Sequence, residues 1–155
     1  MKTKILQTTA LLLVLAGMLA CSKEEETIKN VQIKNFEYAG CPNTTQSNSE
    51  QTDNNEYIKC YAINETTLKF EQQVYLNCCV DSLRITPNIN DRNIITINEV
   101  DYGNECNCIC LSYACFDVTG LIKGATYTFV IKRNNQDYYT FDILFNEDSD
   151  LIFNI

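Results

Sequence analysis

The sequence predicts an all-β fold: an antiparallel β-sandwich of about eight strands, stapled by disulfides. Three observations lead there. After residue 27, apolar residues recur at every second position in short runs about 8–12 residues apart, each bounded by Asn, Asp, Gly or Pro. No amphipathic helical period follows the N-terminal leader. Of nine cysteines, eight lie beyond residue 21, an even number that reads first as a disulfide framework in an exported chain.

Export is read from the N-terminus. Lys2 and Lys4 form a short positive region, and residues 5–20 are a mostly apolar run centred on Leu11-Leu12-Leu13-Val14-Leu15. The run is shorter than the roughly 20 residues of a spanning helix and ends in small residues, so residues 1–20 read as a signal peptide. The boundary Met18-Leu19-Ala20-Cys21 resembles a bacterial lipobox, with Met18 in place of the usual Leu. That resemblance implies that Cys21 is lipidated, carries palmitate-type acyl chains and becomes the new N-terminus. The competing reading is an ordinary signal peptide followed by an incidental cysteine.

Residues 21–27 continue as an acidic tether, Cys21-Ser22-Lys23-Glu24-Glu25-Glu26-Thr27. They have no apolar face and are too acidic to bind anionic lipid. The segment resembles the acidic export signal of Bacteroidetes lipoproteins, which implies an outer-membrane, cell-surface location. A hydrophilic spacer facing the periplasm is the plainer alternative.

The remaining residues, 28–155, are the right size for one domain, and no second composition block appears. The full chain of 155 residues has 12 basic and 20 acidic residues. Without Lys2 and Lys4, 10 against 20 leaves a formal charge of −10. Such a chain repels phosphate backbones, which argues against nucleic acid as a partner. His is absent, which excludes Ser-His, Cys-His and His-metal mechanisms in this chain.

Val31 and Ile33 begin the first strand, and Phe36 and Tyr38 resume its alternation after a one-residue slip, the sign of a bulge. Residues 43–56 are a polar mixture without an apolar side chain, predicting a mobile surface loop, its base pinned by Cys41 and Cys60. Residues 57–63 and 67–78 read as a hairpin turned by Asn64-Glu65-Thr66, with Leu68, Phe70, Val74, Leu76 and Cys78 on one face of the second strand. Residues 80–86 form a strand closed by Pro87, and residues 88–93 a turn. Residues 94–102 are β-branched, and Gly103-Asn104 turns them into a cysteine-rich strand beginning at Cys106. Residues 127–131 and 139–145 alternate as a hairpin around Asn134-Asn135-Gln136-Asp137, and residues 151–155 add a short edge.

The segment Val118-Thr119-Gly120-Leu121-Ile122-Lys123-Gly124-Ala125-Thr126-Tyr127 resembles the E–F connection of immunoglobulin-like and fibronectin type III-like sandwiches. The resemblance implies an immunoglobulin-like fold, an inward Leu121, and a Tyr127 whose hydroxyl returns to the backbone upstream.

The disulfide candidates are Cys41, Cys60, Cys78, Cys79, Cys106, Cys108, Cys110 and Cys115. Cys106, Cys108 and Cys110 share one face of their strand, where neighbours two residues apart sit close to 7 Å from one another with parallel side chains, so each should reach a different partner. Cys78 and Cys79 point to opposite faces and are the natural partners for that strand, with Cys41 or Cys60 serving the others. This predicts no free thiol among the eight. The alternative is a thiolate metal site at Cys78, Cys79, Cys106, Cys108 and Cys110. Structural zinc sites favour cysteines on turns over Cys-x-Cys-x-Cys on a strand, so the reading assigns no metal and no cofactor. No Cys-x-x-Cys exists to support thioredoxin-like chemistry. Together with the lipobox and acidic tether, Asn77-Cys78-Cys79 and Cys106-x-Cys108-x-Cys110 resemble the pattern of small Bacteroidetes surface lipoproteins, a likeness that supplies no catalytic residue.

Asp81-Ser82-Leu83 matches the Bacteroidetes O-glycosylation triplet, making Ser82 a candidate glycan site. Glu147, Asp148 and Asp150 are calcium donors by type, though a solvated turn is the simpler reading. Tyr57, Tyr61, Tyr138 and Tyr139 would serve as a sugar-stacking platform only if alternation left them outside the core. No nucleophile motif appears, and the chain reads as a non-enzyme. The expected function is therefore a membrane-anchored binding, adhesion or accessory module, its partner a host glycoprotein, a glycan or another envelope protein. The alternatives are a secreted-protease inhibitor and a cysteine-based metal-binding protein.

Overall fold

The structure, a computed structural model, describes residues 31–41, 55–90, 92–104 and 106–155. Residues 1–30, and with them the leader, Cys21 and the tether, lie outside the described residues, as do residues 42–54, which take in most of the predicted loop 43–56.

Nine strands make up the described fold: β1 Gln32–Ala39, β2 Tyr57–Asn64, β3 Thr67–Asn77, β4 Val80–Ile89, β5 Ile94–Gly103, β6 Ile109–Thr119, β7 Thr126–Arg133, β8 Gln136–Leu144 and β9 Asp150–Asn154. They form two open sheets, β1-β6-β3-β2-β9 and β4-β5-β7-β8, stacked as a sandwich. Inward residues at every second position fill the space between them. Phe70 and Phe116 stack at 5.0 Å, Phe129 and Phe141 at 5.6 Å, and Phe153 closes on Phe141 at 4.2 Å. Each fully buried ring among these, Phe70, Phe116 and Phe129, contributes about 1.5–3 kcal/mol.

The predicted bulge in the first strand is present. Pairing of β1 with β6 shifts register between Lys34 and Glu37, where Asn35 adopts a φ of 50° and donates to Asp117 Oδ2 at 2.5 Å. The β2–β3 hairpin and the β7–β8 hairpin pair as expected.

Three expectations are corrected. Pro87 does not close the fourth strand: β4 runs on to Ile89, with Pro87 opposite Ile97. Because β4 is the edge of its sheet, the missing N–H removes no ladder bond from a second neighbour. The cysteine strand starts at Ile109, so Cys106 and Cys108 precede it and only Cys110 and Cys115 lie within β6. The second sheet is mixed, because β5 and β7 pair in parallel. The chain leaves β5, crosses to the other sheet as β6 and crosses back as β7. Two reversals restore the original direction, and β7 settles directly beside β5.

The segment that resembles an E–F connection makes that second crossing. Leu121 and Tyr127 are buried, and the Tyr127 hydroxyl accepts from the Ile122 N–H at 2.8 Å. Around it the end of the sandwich is closed by backbone bonds: Leu121 N–H to Thr66 O at 3.0 Å, Gly124 N–H to Phe145 O at 2.7 Å, and Ala62 N–H to Ser149 O at 2.8 Å.

Candidate functional site: the disulfide-stapled end

The opposite end is held by sulfur. There β1 finishes, β3 hands over to β4, and β5 hands over to β6. Cys41 is bonded to Cys110, Cys78 to Cys108 and Cys79 to Cys106, with Cα–Cα distances of 5.7, 5.3 and 5.9 Å. All three fall within the range a disulfide accepts without backbone movement. As expected, the adjacent Cys78 and Cys79 take different partners and no two of Cys106, Cys108 and Cys110 bond each other, although Cys78, Cys79, Cys106 and Cys108 lie off the strands from which their side-chain directions were argued.

The backbone of this end is set by more than the staples. Asn77 Oδ1 accepts from Cys79 N–H at 2.9 Å and Cys106 N–H at 3.4 Å, while its Nδ2 donates to Cys106 O at 2.5 Å. Cys78 N–H donates to Cys108 O at 3.0 Å. Gly103 presses against the same turn, where a Cβ would lie 2.2 Å from Cys79 O. A side chain at position 103 would push the Cys79 backbone aside.

Two candidates do not pair: Cys60 and Cys115 are free thiols. Cys60 lies on β2 opposite Phe70, and Cys115 on β6 opposite Glu71. With β3 between them, their backbones are about 9.5 Å apart, beyond disulfide reach. They also face opposite sides of the sheet. Cys60 points into the core, where burial pushes its thiol well above the ordinary value. Cys115 points outward, its sulfur 3.8 Å from Glu37 Oε2; burial and then the Glu37 charge raise its thiol too. Both are held as poorly reactive thiols. The base of the predicted loop is therefore pinned by Cys41 on one side, while on the other Glu56 accepts from Tyr75 N–H at 2.7 Å through Oε1.

Beside the stapled end, the edges β1 and β4 leave a groove of about 630 Å³ lined by Ile33, Phe36, Ser82, Arg84 and Tyr102 among others. Phe36 and Tyr102 are 36% and 44% exposed, which makes them the aromatic surface a ligand would meet. The Arg84 guanidinium stacks 5.1 Å from the Tyr102 ring centroid. Ser82 is exposed at this groove.

A buried polar group was missed by sequence reasoning. Gln72 on β3 donates to Glu99 Oε1 at 2.5 Å, and Arg133 Nε on β7 donates to Glu99 Oε2 at 3.3 Å. Arg133 also stacks 3.7 Å from the Tyr138 centroid and approaches Glu56 at 3.9 Å. Burial raises the Glu99 carboxyl above its ordinary value, opposed by Arg133 and by the Gln72 bond. The signal was available: positions 68-70-72-74, 95-97-99 and 129-131-133 each place these polar residues on an inward face.

The other candidates separate. Tyr139 packs on Phe141 and Phe153 in the core. Tyr61 is on the outer face, where its hydroxyl donates to Glu71 at 2.7 Å, and that bond first of all pushes the phenol up to about 12. Glu147 pairs with Lys123, and Ser149 Oγ accepts from Asn146 N–H at 2.9 Å, so this acidic stretch is a closed turn. Among the described residues, the cysteine sulfurs of the stapled end form the group with metal-ligand spacing.

Comparisons with protein families, with curated proteins and with solved structures found no match to this chain. Its function is therefore read from its own residues.

Proposed function

We propose that this chain is an exported lipoprotein, tethered through Cys21 at the outer membrane and cell-surface exposed, that acts by binding and not by catalysis. The observation that carries the reading is polarity. Val31 leads into β1 at the hydrogen-bonded end, where Gln32 pairs with Thr119, whereas all three disulfides gather at the other end. A lipid on Cys21 would thus hold the hydrogen-bonded end towards the membrane and present the stapled end outward. Residues 21–30 could span at most about 35 Å, a short leash. Disulfides at the outward end would hold the fold against proteases where exposure is greatest.

The ligand would be a glycan, a glycoprotein or another envelope protein, met through Phe36, Arg84 and Tyr102 at the groove. An aromatic pair beside a cation suits a sugar face carrying an anionic substituent. Ser82 in the same groove would be the glycan acceptor, in which case its modification would cover the site.

The test joins anchoring to binding. Cells expressing the protein should incorporate labelled palmitate, lose it in Cys21→Ser, and lose the protein to protease added outside. A purified soluble form should bind members of a glycan and glycoprotein array, with Phe36→Ala and Tyr102→Ala together weakening the hit about tenfold or more. Equal labelling of Cys21→Ser overturns the anchor, and array binding indifferent to the double variant overturns the groove.

A further inference from the structure

The geometry points to a redox-gated metal site at the stapled end, formed by Cys41, Cys78 and Cys110 when their disulfides are opened. The three sulfurs lie within 4.8 Å of one another although they belong to two different disulfides. A tetrahedral zinc ion about 2.3 Å from each sulfur needs them about 3.8 Å apart. Reaching that spacing means parting the bonded sulfurs of Cys41 and Cys110 by about 2 Å and drawing the Cys78 sulfur in by up to about 1 Å, which freed χ angles provide. The Cys108 sulfur, bonded to that of Cys78 in the oxidised state, lies outside that mutually close group and would become the fourth donor by turning towards it once freed.

Two features make the site persist without its sulfur–sulfur bonds. Cys78 follows the last residue of β3 and stands on the turn into β4, where structural zinc sites place their ligands, while Cys110 stands at the start of β6. The backbones of Cys110 and Cys78 are also held by hydrogen bonds. Leu76 pairs with Cys110 in the β3–β6 ladder, Cys78 N–H bonds Cys108 O, and Asn77 clamps the neighbouring turns. All three sulfur-bearing residues are half-buried, open enough for a reductant and an ion to reach them.

A dithiol reductant delivers two electrons and two protons to each of the disulfides Cys41–Cys110 and Cys78–Cys108, becoming a disulfide itself. Each thiol that then binds the divalent ion gives its proton to solvent. The ion and the two disulfides are mutually exclusive occupants of the same sulfurs. The site is independent of the binding-module reading, since neither the anchor nor the groove enters it.

The test uses the protein reduced anaerobically and freed of reductant, then titrated with Co²⁺. One Co²⁺ per chain with tetrahedral bands and sulfur-to-metal charge transfer is expected, displaced by Zn²⁺; the oxidised protein should show none. Cys41→Ser, Cys78→Ser and Cys110→Ser should each weaken binding about 100-fold, while Cys79→Ser with Cys106→Ser should bind as the parent does. In case a variant fails to fold, alkylation mapping on the parent chain is a second readout: Zn²⁺ should shield Cys41, Cys78 and Cys110 and leave Cys79 and Cys106 reactive. Shielding of Cys79 and Cys106 instead, absence of the tetrahedral bands, or equal affinity in the urea-unfolded reduced chain would each overturn the site.

Discussion

The two ends of the sandwich solve the same problem with different materials. At the hydrogen-bonded end the space between the sheets is filled by Phe70, Phe116, Tyr127, Phe129 and Phe145, all inaccessible to solvent. At the stapled end the buried cluster is Val74, Leu76, Leu83 and Ala114, with no ring among them. Between the two, on β3, Gln72 stands between Phe70 and Val74 and carries the buried Glu99 and Arg133 network. The end with the thin core holds all six paired cysteines, with chain separations of 69, 30 and 27 residues. Loops of this size each restrict the unfolded chain by about 3.5–4.5 kcal/mol in the entropic account. Covalent closure stands in where burial is small, and the two free thiols, Cys60 and Cys115, sit on strands already held by their ladders.

The largest effect should come from the aromatic side of this contrast. Phe116→Ala should lower the unfolding free energy by about 4 kcal/mol, against about 2–3 kcal/mol for Leu83→Ala in the smaller cluster. Urea unfolding of the oxidised proteins measures both, and equal losses would mean that the two cores do not differ in kind. Next comes the covalent side. Cys78→Ser with Cys108→Ser should cost about 3.5 kcal/mol. Hydrogen exchange should then rise at the start of β4 and the end of β5, while β7 and β8 stay protected. Uniform loss of protection would show that the staple serves the whole domain and not its thin end.

Much of this was legible because period two is a short-range signal. Leu68, Phe70, Val74 and Leu76 announce their face without any knowledge of the partner strand, and the slip before Phe36 marks the bulge at Lys34–Glu37. What depends on long-range arrangement was not legible. The parallel pairing of β5 with β7 follows from which sheet β6 joins. Cys60 and Cys115 are unpaired because β3 lies between them, and no local pattern carries that fact. Pro87 looked like a strand end because its sequence cannot tell an edge strand from a central one. Gln72, Glu99 and Arg133 were hidden by a rule of thumb, that polar and charged residues mark the solvent face, which fails where Gln72 and Arg133 both bond to the Glu99 carboxylate between the sheets.

That network offers a smaller, pH-dependent test. Glu99 has a folded pKa raised above its ordinary value, chiefly by burial. In the window between the unfolded value, about 4.3, and the raised folded value, the native state binds the extra proton. Stability contributed by this group therefore falls as pH rises through that window and recovers as pH is lowered, the reverse of a salt-bridged surface carboxylate. The difference in unfolding free energy between the parent and Glu99→Gln should vary across that window, by about 1.4 kcal/mol for each tenfold gain in the carboxylate's proton affinity on folding. A difference independent of pH would mean that Arg133 fully compensates the burial.

The smallest expected effect tests the hydrogen-bonded end at one atom. Tyr127→Phe keeps the ring that packs against Phe129 at 6.4 Å and removes only the oxygen that accepts from Ile122 N–H. That N–H has no strand to pair with, since Ile122 lies in the connection between β6 and β7. The loss should be about 1 kcal/mol, one hydrogen bond's net worth. It should appear as faster exchange of the Ile122 amide with no change at Cys78 or Cys108. If exchange at the stapled end rose equally, the two ends would be coupled through the aromatic core, and the division of labour between packing and sulfur would have to give way to a single cooperative unit.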